Sequence, residues 1–269
     1  MSYTSAPDAA KGKTPLWKKA LPWLITVACF VFLYTRIAGP AAGQGMSVLA
    51  YLASVFAEVN WFAWLALMIP YSIAFFLIDS MVVWRIINWF NTKIAYKEIL
   101  PVRASAYIIS ILNEQVGKGA MALYLNRRDG VPAWQVGSSM LFIMVCELLY
   151  LTIWANIGLL LQWDTLPPVF RALPWVGLGI FVAFAFFYLY FRGHILPKNK
   201  FRDGQLLKAF KEATLSQYLV IIILRSPALL LAVVMYSEAL ALFGVEFGYL
   251  QMLGILPVIF FGASIPGPF

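Results

Sequence analysis

The chain has 269 residues, 62% of them hydrophobic and only 12% charged, with a mean hydropathy of +0.81, a make-up far outside that of soluble domains. No soluble catalytic domain fits into it: the apolar runs are separated by polar islands of about 10 to 20 residues, and each crossing helix needs about 20 apolar ones. The net charge of +8 does not point to nucleic acid, because the basic residues fall mainly in islands near 11–19, 93–103, 118–128 and 192–211, recurring where the chain should return to one side, as cytoplasmic loops do.

Residues 1–15 are polar and small and read as a cytoplasmic tail. The first span is expected from about residue 16 to 37; it is long and aromatic, without a small-residue cleavage site, so it reads as a retained helix. Residues 46–59 are apolar but short and end on Glu58 and Asn60, which suits a helix on the outer surface. The second span begins at Trp61 and carries Pro70 and Asp79; Lys93, Lys97 and Arg103 then bring the chain back, and Pro101 punctuates the entry to the next stretch.

That stretch, residues 104–131, is too short and too polar to span, with Asn113, Glu114, Gln115, Gly117, Lys118 and Gly119 close together and Arg127, Arg128, Asp129 and Gly130 at its end. Polar backbone in such a chain must be sheltered by protein, line a wet cavity or lie at the surface. The expectation is a re-entrant pair of half-helices over about 104–128, entering from the cytoplasm.

The third span, about 136–161, holds Glu147 near its centre, and the fourth runs from Trp175 to Phe191. A basic loop containing His194 comes next. The fifth, about 218–242, carries Arg225, Ser226 and Pro227 in succession, and residues 248–269, with Gly254, Pro257, Gly262, Pro266, Gly267 and Pro268, read as a second interrupted segment from the outside. The chain stops at Phe269 in what reads as mid-turn, as a truncated piece would. The whole is expected to be all-α: a polytopic membrane bundle of about five full spans plus two re-entrant or broken segments, one transmembrane domain over 16–269, N-terminus cytoplasmic. Gly119, Gly130, Pro227, Pro257 and Pro266 are the expected structural breaks.

Residues 104–131 followed by a span with a central glutamate resemble the lysylphosphatidylglycerol synthase membrane-domain family, many members of which lack the synthase domain and are called flippase-like. The similarity rests on a Gly-containing polar break, the Arg-Arg-acid-Gly-Val run at 127–131, Glu147, and the Pro-Gly-rich end at 264–269. Where the family usually has Pro-Gly-Arg ahead of Gly-Glu, this chain has Asn113, Glu114 and Gln115, and Gly117 is followed by Lys118. The resemblance implies roles for Gly117, Arg127, Arg128, Gly130 and Glu147. It also implies handling of phospholipids or lipid-linked precursors in a bacterial cytoplasmic membrane.

A charge at mid-bilayer costs about 2.5 to 3.5 kcal/mol on insertion scales, so such groups pair or face water. Glu147 and Arg225 are the deepest. Either they form an interhelical ion pair that fixes packing, or Arg225 with Lys118 meets a lipid phosphate while Glu147 or Glu114 holds them or contacts a headgroup amine. Glu114 and Lys118, four apart, also suit a local pair at the cytoplasmic mouth. Asp79 and Arg85 suit snorkelling to the inner interface, and Arg127 and Arg128 serve as an orientation signal or a headgroup clamp. No metal-ligand spacing, nucleotide-binding loop or nucleophile–base pairing is present in the sequence, so no cofactor and no catalytic residue is expected. The expected function is a lipid flippase or transporter whose groove binds headgroups. The alternatives are a membrane enzyme, or the membrane half of a headgroup-modifying synthase, and a non-transporting scaffold for envelope-assembly enzymes. Membrane lipids are the expected partners, with a second copy of the chain or an envelope-biosynthesis protein beside them.

Overall fold

A computed structural model describes residues 16–112, 114–164, 168–195 and 204–264; the side chains of 16–22, 110–118, 169 and 262–264 lie outside that description. Among the described residues there are helices and turns and no strand: α1 Leu16–Gly43, α2 Val48–Glu58, α3 Trp61–Phe90, α4 Tyr96–Leu112, α5 Glu114–Asp129, α6 Ala133–Leu161, α7 Leu173–Arg192, α8 Lys208–Glu212, α9 Leu215–Leu242 and α10 Tyr249–Ser264. Five stretches are long and apolar enough to cross a membrane: Trp23–Gly43, Trp61–Phe90, Ala133–Leu161, Phe170–Arg192 and Leu215–Leu242. The protein is an all-α polytopic helical bundle.

Contacts divide the described residues into two compact units, 16–59 and 60–264. In the first, α1 closes on Gly45 at φ +67 with Met46 N donating to Ala41 O at 3.0 Å. Ser47 then caps α2, its hydroxyl accepting from Ala50 N at 3.2 Å. No residue of α2 is buried.

In the second unit α6 is the hub. Val136, Phe142, Cys146, Leu149, Leu151, Ala155 and Leu159 are all buried along it, while Met144, Leu160 and Leu161 are exposed; a helix that is apolar on both its packed and its open faces carries no amphipathic stripe. Phe142 sits at its cytoplasm-expected end, with Phe90 of α3 at 5.2 Å and Tyr218 of α9 at 4.6 Å between ring centroids. Farther along, α10 packs against α6 so closely that a methyl group on Gly158 would reach the carbonyl oxygen of Leu253 and stand 2.6 Å from the Cα of Gly254.

Local chemistry fixes the ends. Trp84 Nε1 and Asn88 Nδ2 both donate to Ile94 O, at 2.8 and 3.0 Å, which closes the turn between α3 and α4. Lys208 Nζ donates to Phe90 O and Gln135 Oε1, and Ala209 N to Ser138 Oγ at 2.9 Å, so the basic loop's short helix α8 is fastened over the ends of α3 and α6. Thr214 and Gln217 form a reciprocal capping box at the start of α9.

Some expected breaks are not breaks. Pro227 and Pro257 lie inside α9 and α10, which run on through them. At Pro227 the N–H that would reach Ile223 is missing, but the neighbouring Ser226 hydroxyl donates to Ile222 O at 2.8 Å and accepts from Trp154 Nε1 at 2.9 Å, holding that turn. Gly119 is likewise interior to α5, with nothing near its α-carbon face. Pro101 does not open α4 but falls within it, because the helix begins at Tyr96. Gly130 does end α5, at φ +67, with its N–H donating to Asn126 O at 3.0 Å. Pro266 lies outside the described residues.

Candidate functional site

Four charged side chains from four helices converge inside the second unit. Asp79 stands on α3 about 11 residues, or about 16 Å, before that helix ends. Arg225 stands on α9 about 10 residues, or about 15 Å, after it begins. Since α8 and its hydrogen bonds join those two ends to the start of α6, the two groups lie at similar distances along the bundle from that end, well inside the apolar lengths of their helices. Glu147 comes from α6 and Arg103 from α4 to complete the set.

Asp79 is the centre. Its Oδ2 is bound by Arg103 Nη2 and by the Tyr107 hydroxyl, the latter at 2.8 Å, and its Oδ1 by Arg225 Nη2 at 3.0 Å. Arg225 turns its other amino group, Nη1, to Glu147 Oε1 at 2.8 Å. Its guanidinium also lies 5.7 Å from the centre of the Tyr150 ring, and Arg103 lies 4.9 Å from that of Tyr107. The cations are thus flanked by ring faces as well as carboxylates. Two acids and two bases sum to zero, which is how a chain keeps ionised groups in a low-dielectric interior.

The four differ in access. Asp79 and Arg225 side chains are 9% and 11% exposed, Arg103 19% and Glu147 34%. The Nε atoms of both arginines are buried with no hydrogen-bond partner among the described residues. The cluster therefore holds a shielded centre, two unused guanidinium donors, and one carboxylate reachable from outside the protein core.

The sequence-expected residues are distributed unevenly over this site. Glu147 and Arg225 meet, as the ion-pair reading has it. Asp79 does not snorkel with Arg85: it is buried in the cluster, whereas Arg85 is exposed over the rings of Trp84 and Trp89, 5.4 and 6.0 Å away. Arg103 is not a loop charge but lies nearly two turns inside α4. Arg127 is exposed at the end of α5, and Arg128 pairs with Glu98 at 2.8 Å, tying α5 to α4 away from the cluster. Glu114, Gly117 and Lys118 lie on the helical backbone of α5, and their side chains are outside the described residues. Sequence reasoning missed Arg103 and Tyr107 as site residues. The signal that could have found them is their spacing, four apart on an apolar helix, which places both on one face.

The fold and site define a helical membrane protein with a charge-neutral ionic cluster inside its bundle. Comparison with protein-family models, with curated proteins and with solved structures gave no match.

Proposed function

We propose that the chain is a lipid flippase-like or transporter-like protein of a bacterial cytoplasmic membrane, whose intramembrane charge cluster receives a phospholipid or lipid-linked headgroup. The observation that carries this reading is the cluster itself: four charged side chains gathered inside an apolar helical bundle, with Glu147 one-third exposed while its partner Arg225 is 11% exposed. Ionised residues within spans are costly and mark substrate or ion pathways. A purely structural pair has no need of an open carboxylate, whereas a headgroup site needs polar groups at the edge of a shielded centre. Glu147 would contact the arriving headgroup and Arg225 its phosphate, with the acyl chains left in the bilayer. The α4–α5 pair is the re-entrant element in this reading, and through Arg103 it carries one wall of the site.

The test is movement of a labelled phospholipid across vesicles reconstituted with equal amounts of folded protein. Glu147→Gln and Arg225→Met are each expected to abolish movement that the parent supports. Parent-like movement in both variants would reject the assignment of the site.

A further inference from the structure

We propose that Asp79 is a built-in stand-in for a ligand phosphate, and that Arg103, Arg225 and Tyr107 together form a phosphate-oxyanion site which Asp79 fills when no ligand is present. This rests on the lipid-transport reading only for the source of the phosphate, not for the site.

The geometry carries the inference. Two guanidinium groups from separate helices reach the two oxygens of one carboxylate, Arg225 to Oδ1 at 3.0 Å and Arg103 to Oδ2, with the Tyr107 hydroxyl donating to Oδ2 at 2.8 Å. Planar guanidinium forks arranged on a shared anion are the usual means of recognising phosphate. Asp79 draws on both arginines of the cluster, one of which it shares with Glu147, while the Nε donors of both stay buried and unused. A carboxylate has two oxygens to offer, and a phosphate offers three or four. The larger anion could therefore engage donors that Asp79 leaves unsatisfied. Unpaired buried donors are costly, so the arrangement favours exchange of the small anion for the larger one.

The exchange also has a path and a brake. Tyr107 is 36% exposed and Glu147 is 34% exposed, so the cluster is open on the sides they occupy. Asp79 competes with any incoming anion, which lowers apparent affinity by the fraction of time the arginines are unoccupied. Such competition allows a bound phosphate to leave again. Glu147 does not compete in the same way, since it binds Arg225 through Nη1, whereas the Asp79 contact runs through Nη2.

The experiment measures binding of inorganic phosphate to the full chain in phosphate-free maltoside detergent by calorimetry. Asp79→Asn keeps the side-chain shape and removes the competing charge; it should bind phosphate about tenfold more tightly than the parent, as expected if the unoccupied fraction is about one in ten. Arg103→Gln added to Asp79→Asn should erase the gain. If Asp79→Asn binds phosphate no better than the parent while remaining monodisperse, Asp79 is only a packing counter-ion and the inference is overturned. Should that variant not fold, Arg103→Gln in the parent decides: a weakening of about tenfold supports the site, and unchanged phosphate affinity removes it. Adding phosphatidylglycerol back separates the sources. Loss of phosphate binding assigns the site to a lipid headgroup, and undiminished binding assigns it to free phosphate. Lipid movement without the Asp79→Asn gain rejects this site and leaves the transport reading standing; the gain without lipid movement does the reverse.

Discussion

Arg225→Met is the most informative single change, because one guanidinium holds two carboxylates. Removing a partner from a buried ion pair costs about 3 to 5 kcal/mol, most of it from the charge left behind. Two features place Arg225→Met at the low end, about 3 kcal/mol. Asp79 keeps Arg103 and Tyr107, and Glu147, with 34% of its side chain exposed, is the less enclosed of the two carboxylates. Glu147→Gln should cost about 1 kcal/mol, since the amide oxygen still accepts from Arg225. The double variant should then be more stable than the sum of the two losses predicts, with a coupling of about 1 to 2 kcal/mol. The assay is equilibrium unfolding of the four proteins in mixed micelles, followed by tryptophan fluorescence. A coupling indistinguishable from zero would mean that the Arg225–Glu147 contact contributes nothing to the fold, and the electrostatic reasoning for the whole cluster would fail with it.

Other consequences can be measured in the same way. Gly158→Ala would press a methyl group into the backbone of α10, so a loss of about 1 to 3 kcal/mol is expected. Gly119→Ala, in open space within α5, should instead stabilise by about 0.5 to 1 kcal/mol; thermal melts of the two variants should move in opposite directions. Gly130→Ala forces a side chain into the left-handed region at φ +67 and should cost about 1 to 2 kcal/mol, read as a lower melting temperature. Arg128→Gln breaks a pair whose side chains are 33% and 45% exposed, so it should change stability by less than about 1 kcal/mol, a difference that shrinks further in high salt. A larger effect there would place Arg128 in a more enclosed setting than its exposure indicates.

The long apolar helices are legible in the sequence because a membrane core imposes a length and a polarity that no tertiary detail can override. Thus Trp61, Leu161 and Leu242 mark helix limits that coincide with the ends of apolar runs. Prolines misled, since Pro227 costs one backbone bond and the Ser226 hydroxyl supports the adjoining turn, a compensation invisible without the fold. Glu147 and Arg225 stood out as charges amid apolar sequence, and their pairing follows from the cost of leaving either alone. Arg103 did not stand out. It follows Lys93 and Lys97 so closely that it reads as part of one solvated island; Lys97 shares α4 with it but stands in the first turn, nearly two turns before Arg103. Asp79 was visible but assigned to the interface, because its two arginine partners lie 24 and 146 residues away in the chain.

The neutrality of the cluster bears on how the membrane's own electric field can act on this protein. A potential of 100 mV does about 2.3 kcal/mol of work on each elementary charge carried across. Asp79, Glu147, Arg103 and Arg225 shifting together carry none, so voltage neither drives nor resists their common motion. An anion joining them would leave the assembly negative, and only then would the field distinguish inward from outward. Occupancy would thus switch the same four residues from blind to sensitive toward the membrane potential.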